Sequence, residues 1–186
     1  MSVENGYRLN VGEAYVDAHR FVDTVRAHHR ELAPLASMLS TGPDPDWPSR
    51  QRLTELVESL ESALATWRGT PYADLPDHPD VMVARAGLEE ARARAEDDLV
   101  LAMLALGEHA STVTMTEQAV QRSSLRERSW SLHALALARS GRQAEALETL
   151  RELRRLLDDE LGIDPTPEVR SLEEALLRQD AAVLEG

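Results

Sequence analysis

Residues 127–157 read ERSWSLHALALARSGRQAEALETLRELRRLL, and the fold turns on this stretch. Trp130, Ala134 and Leu137 follow one another at helical spacing, Gly141 interrupts, and Ala146, Leu150 and Leu153 take the spacing up again. Two amphipathic helices folded back on each other need this order. Small residues let the two backbones approach, and a glycine at the turn accepts the positive φ that reverses the chain. A degraded copy lies upstream, with Met103, Gly107, Thr116 and Ala119 at matching offsets and Thr112 where a small Ala is expected. Helix pairs recurring every 30 to 45 residues or so are the mark of a stacked α-solenoid.

The same reading extends in both directions. Upstream, Phe21, Val25, His28, Leu32, Leu35 and Leu39 make one apolar stripe from Asp17 onward, which Pro34 should kink or divide. Thr41 to Pro48 is a loop, Ser49 to Arg68 a second helix stopped by Gly69, and Pro79 opens a third whose stripe runs from Val81 to Leu106. His109 to Arg122 reads as a helix despite its β-branched threonines. Downstream, Gln143 to Leu161 is closed by Gly162, and a last helix begins with Thr166 as cap and Pro167 in the first turn, its stripe running to Val183. The expected fold is all-α: about seven helices in antiparallel hairpins resembling tetratricopeptide repeats, stacked as a short solenoid. Only Gly6 to Val11 alternates like a strand, and it has no evident partner. The chain divides into an N-terminal tail, residues 1–16, and a helical domain, residues 17–186.

Composition removes whole classes of function. The 186 residues carry a net charge of −13, which repels phosphate backbones and anionic lipid, so autonomous DNA binding and membrane association are not expected. With no cysteine there is no disulfide or thiolate site. No apolar run reaches the roughly 20 residues of a membrane span, so a cytoplasmic location is expected. All 20 basic residues are arginine and Ile163 is the sole isoleucine, a bias of GC-rich codons such as actinobacteria use. Aromatics are 4%, so Leu, Ala and Val must build the core, which suits close helix packing.

The order of several short segments resembles the bacterial transcriptional activator domain of the Streptomyces antibiotic regulatory protein family. They are Gly6-Tyr7-Arg8-Leu9, Val16-Asp17-Ala18 with Arg20-Phe21, Trp67-Arg68-Gly69 with Asp74-Leu75, Leu104-Ala105-Leu106-Gly107, Leu125-Arg126-Glu127-Arg128, Ser140 to Leu147, and Glu160-Leu161-Gly162-Ile163-Asp164-Pro165. The resemblance implies a tetratricopeptide-like domain that follows a winged-helix DNA reader, whose last hairpin strand would match Gly6 to Leu9. It implies that Tyr7, Tyr15 and Phe21 lie at the junction with that reader. The stretch His29 to Ser49 is longer and richer in proline than the family pattern, and Ser123-Ser124 and Ala138-Arg139 also depart from it.

No motif of catalysis is present: there is no phosphate-binding glycine loop, nucleophile elbow or His-Glu-x-x-His, so neither an active site nor a cofactor is expected. His28 and His29 point about 100° apart on a helix and do not make a metal pair; His28 falls on the apolar stripe as a core histidine. Glu96-Asp97-Asp98 and Asp158-Asp159-Glu160 read as solvated faces. Arg151 should pair with Glu148, and Arg154 and Arg155 with Asp158 and Asp159. Trp47, between prolines, is either a loop anchor or an exposed interface residue. Two functions fit. One is a non-catalytic regulatory domain of a transcription activator, holding its winged-helix domain, a second copy of itself or another transcription protein. The other is a free-standing helical adaptor or small-ligand sensor.

Overall fold

In the computed structural model, which describes residues 2–3, 6–7, 17–39 and 47–184, helix α1 (Asp17–Leu32) opens with the Ala18 N–H donating to Asp17 Oδ1 at 2.8 Å. Phe21, Val25 and Leu32 are buried along it, each contributing about 1.5–3 kcal/mol. Pro34 acts as expected. It has no N–H to give and crowds the preceding turn, so the chain tightens into a 3-10 helix, Ala33–Leu39, that still buries Leu35 and Leu39. His28 is a correction: it is half-buried, and its Nε2 lies 2.8 Å from Ser59 Oγ.

Helix α2 (Arg50–Ala65) starts at Ser49, whose Oγ accepts the Arg52 N–H, and buries Leu53, Leu56 and Leu60. It stops three residues short of the expected Arg68. The Thr66 N–H and hydroxyl both turn back to the Ala63 carbonyl, at 3.1 and 2.7 Å, which tightens the last turn and frees Trp67 to fold over Phe21. Trp47 packs against the core as a loop anchor.

Helix α3 (Pro79–Leu106) is the spine. Its 28 residues make it about 42 Å long. From Ala95 on it is buried on nearly every side, whereas its first half keeps one face in solvent. Phe21 and Leu88 line one groove at one end, and His29 reaches Asp98 further along, so α1 runs beside α3 in the same direction. Arg50 donates to the Leu106 carbonyl at 3.3 Å, which sets α2 antiparallel to α3.

The remaining helices form hairpins: α4 (His109–Arg122), α5 (Glu127–Arg139), α6 (Gln143–Leu161), α7 (Pro167–Arg178) and the short α8 (Ala181–Leu184). The threonines of α4 are accommodated because Thr112 and Thr116 donate to the His109 and Thr112 carbonyls at 2.7 and 2.8 Å. Between α5 and α6, Gly141 takes φ +78, and a Cβ there meets nothing within 4 Å, so the turn selects glycine through its backbone angle alone. The last stripe does not run unbroken to Val183. Gln179 adopts φ +54 and ends α7, and Val183 enters the core from α8. Thr166 occupies the cap position without a side-chain bond; its own N–H donates to Glu127 at 2.7 Å. Arg154 pairs with Glu173 of α7 and Arg155 with Glu148, displacing the expected Asp158 and Asp159. An arginine followed by an acid is the weaker order on a helix, and a neighbouring helix offers a better partner.

At the N-terminus, β1 (Ser2–Val3) pairs antiparallel with β2 (Gly6–Tyr7), Ser2 opposite Tyr7 and Val3 opposite Gly6. The expected strand therefore has a local partner; positions 8–11 lie outside the described residues.

Candidate interaction surfaces

Helix direction alternates along the chain, but the start of α5 meets α3 midway along its length, where Arg126 reaches Glu90 and Asp97, and the start of α7 lies beside the start of α5, where the Thr166 N–H meets Glu127. Among the described residues, the large apolar side chains left exposed are Tyr72, Leu75, Met82, Val83, Leu125, Leu161, Ile163 and Leu177. Tyr72 and Leu75 lie in the α2–α3 connection, Met82 and Val83 in the first turns of α3, Leu125 in the connection before α5, and Leu161 and Ile163 at the end of α6 and in the connection that follows it. Residues 1–16 join the helical domain at Asp17, beside the α2–α3 connection.

A groove of about 570 Å³ opens there between the start of α1, the α2–α3 connection and Leu88. Its floor is Phe21, 5% exposed, with its ring centroid 5.6 Å from that of Trp67 at 58°. The Arg92 guanidinium carbon lies 5.1 Å from the Trp67 centroid, so the indole has both Phe21 and Arg92 against it. Arg85 holds the outer wall, donating to the Pro71 and Tyr72 carbonyls at 3.0 and 3.2 Å and to Asp77 at 3.1 Å. Tyr72 takes φ +54, an uncommon backbone for a bulky side chain, maintained by that clamp. Of the residues expected at a junction, Phe21 sits in this groove; Tyr15 and the Tyr7 side chain lie outside the described residues. Arg85 and Tyr72 went unnoticed in the sequence, and no local spacing marks them, because their roles depend on a contact across the loop.

On another face of α3 lies a charged cleft of about 410 Å³, between α1, the 3-10 helix and the start of α5. Asp97 and Asp98 form its base, 6% and 3% exposed, which overturns their reading as a solvated face. Asp98 is 3.0 Å from His29 Nδ1. Asp97 accepts from Arg126 Nε and Nη2 at 3.2 and 3.0 Å, and Arg126 also donates to Glu90 at 2.8 Å. The apolar run Leu99 to Leu106 was the missed signal: a helix apolar all round is covered all round, and acids at its edge are drawn in with it.

Burial pushes the Asp97 carboxyl up to about 6, against the attraction of Arg126. Burial also raises Asp98, with His29 opposing. The folded chain thus holds the Asp97 proton more tightly than the unfolded one, whose value is near 3.8. This contribution to stability is complete below about 3.8 and is lost as pH rises through about 6. Burial lowers His28, His109 and His133, which act in the opposite sense, but they are common to an Asp97→Asn variant. Between pH 5 and 7 the melting temperature of the wild type should therefore fall relative to that of Asp97→Asn, by a few degrees. Parallel thermal melts check this; parallel pH profiles would contradict it.

Among the described residues no three His, Asp or Glu side chains are grouped to hold a metal ion. No described helix is long and apolar enough to cross a membrane. In the C-terminal hairpin, Trp130, Ala134, Leu137, Ala146, Leu150 and Leu153 are buried between α5 and its neighbours.

The family model described as "Bacterial transcriptional activator domain" matches residues 44–177. The transcriptional regulator RedD of Streptomyces coelicolor is 36% identical over 179 residues, 96% of this chain and 46% of RedD. The regulatory protein AfsR of Streptomyces griseus is 39% identical over 121 residues, 65% of this chain and 12% of AfsR. Among solved structures, Mycobacterium tuberculosis EmbR in complex with a low-affinity phosphopeptide is similar with a TM-score of 0.78 at 30% identity, over 97% of this chain and 44% of that one. The chain thus spans less than half the length of these relatives.

Proposed function

The chain belongs to the bacterial transcriptional activator domain family, and on that premise we propose that it is the non-catalytic regulatory part of a transcription activator, working in the cytoplasm by holding a winged-helix DNA reader of the same polypeptide. The observation that carries this reading is the groove that opens beside Asp17, where residues 1–16 join the helices, with Tyr72 exposed in its wall and Leu75 exposed in the same connection. The reader docks at the Phe21–Trp67 groove, with Tyr7 and Tyr15 on the connecting segment beside it. The buried set from Trp130 to Leu153 keeps the last hairpin rigid as the far wall of the solenoid. DNA contact is left to the reader, because a chain of charge −13 repels phosphate. Other transcription proteins or a second copy are further partners in this reading.

Removing Met1 to Asn10 should leave the melting temperature of the helices within about 2 °C, since the described core begins at Phe21. The truncation should weaken docking of a separately supplied winged-helix domain from a regulator of this family. Hydrogen exchange with and without that domain checks the reading: protection across Gly6 to Val11 should rise markedly in its presence. Full protection of Gly6 to Val11 in the isolated monomer would overturn it.

A further inference from the structure

The first half of α3 carries a second face that nothing in the groove uses. Leu88, Ala91, Ala95 and Leu99 turn toward α1 and α2, and helical spacing sets Met82, Val83, Ala86 and Glu90 on the opposite face, with Gly87 and Arg94 at its edge, about a turn from Ala91. Further along, that same face reaches Asp97 and Leu101, where Arg126 and the start of α5 cover it. For the first three turns it has no cover among the described residues: Val83 is 74% exposed and Met82 56%.

Gly87 stands at the edge of this uncovered face, one turn after Val83. A Cβ built on it meets nothing within 4 Å, so alanine fits there and favours the helix more. A glycine in that position leaves the backbone open to close approach by another chain. Its flanks are acidic: Asp80, its side chain 94% exposed, lies on one edge at the start of the helix and Glu89 on the other, while Glu90 is already held by Arg94 and Arg126. Two copies of a chain at −13 also repel one another as they approach. A basic partner gains where a copy loses.

We propose that the uncovered face of α3 binds an amphipathic helix of a partner protein, its apolar stripe against Met82, Val83 and Gly87 and its arginine or lysine flanks against Asp80 and Glu89. The packed interface made by Asp97 and Leu101 is thereby continued along the helix, with the partner in the place that α5 takes further on.

The test uses the full chain and a synthetic amphipathic peptide of about five helical turns, leucine on one face and arginine on the flanks. Titration followed by amide chemical shifts should give saturable changes concentrated on residues 82–94. Gly87→Gln should weaken binding about ten-fold or more while leaving the melting temperature unchanged or raised, which separates lost binding from lost folding. Val83→Ser should weaken it as well, and a peptide with glutamate for arginine should not bind. Equal binding by a scrambled peptide of the same composition would overturn the proposal, as would shifts confined to the Phe21–Trp67 groove. So would a dimer of the chain alone that Gly87→Gln dissociates, which would make a second copy the occupant.

Discussion

Ala146→Glu is expected to unfold the C-terminal hairpin. Ala146 is fully buried on the face of α6 that meets α5, where the small side chain sets the approach of the two helices. A glutamate there must either lose its charge or carry it into the core, and its extra volume forces the helices apart. Either route costs several kcal/mol, a large share of the roughly 5–15 kcal/mol by which a domain is stable. The melting temperature should fall by about 10 °C or more, at 2–4 °C per kcal/mol for a chain of this size. Ala146→Ser, which adds one small hydroxyl, should fall much less. Circular dichroism melts of both variants decide the matter, and an unchanged melt for Ala146→Glu would remove the repeat packing from this hairpin.

Arg126→Met is expected to be nearly as damaging at neutral pH and mild in acid. Methionine keeps most of the aliphatic stem and deletes the guanidinium that holds Asp97 through two hydrogen bonds. A buried carboxylate left without its partner costs about 3–5 kcal/mol, capped here because Asp97 can take up a proton. With its pKa already at about 6, that escape is inexpensive below pH 5.5 and costly at pH 8. Glu90, the other partner, is half-exposed and adds little. The loss should thus grow with pH across this interval. In an Asp97→Asn background, Arg126→Met should cost less than about 1 kcal/mol, and the difference between the two backgrounds measures the pair. Equal losses at pH 5 and pH 8 would mean that Arg126 acts through packing alone.

Most of the helical framework was legible along the chain, for local reasons. The α5–α6 hairpin, the break at Pro34, the starts at Ser49 and Pro79 and the stop at Gly107 all rest on contacts within one turn or on the φ that one residue permits. The end of α2 was misjudged because it does not depend on its own turn alone. Trp67 leaves the helix for the Phe21 ring, a partner more than forty positions away. The groove was legible only at Phe21, and the charged cleft was misread as a solvated face.

The amino-acid sequence by itself determined which residues share a helix face, where helices stop, and that small residues and a glycine set the closing hairpin. Spacing of apolar residues and backbone preference act over three or four positions and need nothing from the rest of the chain. Which faces are covered was decided by the tertiary structure. Asp97 and Asp98 are buried because the second half of α3 is enclosed by α1 and α5, and Arg154 finds Glu173 because α7 folds beside α6. Met82 and Val83 stay in solvent because α3 outruns the helices packed on that face. Burial belongs to the assembled helices, since water leaves a face only when a second surface arrives.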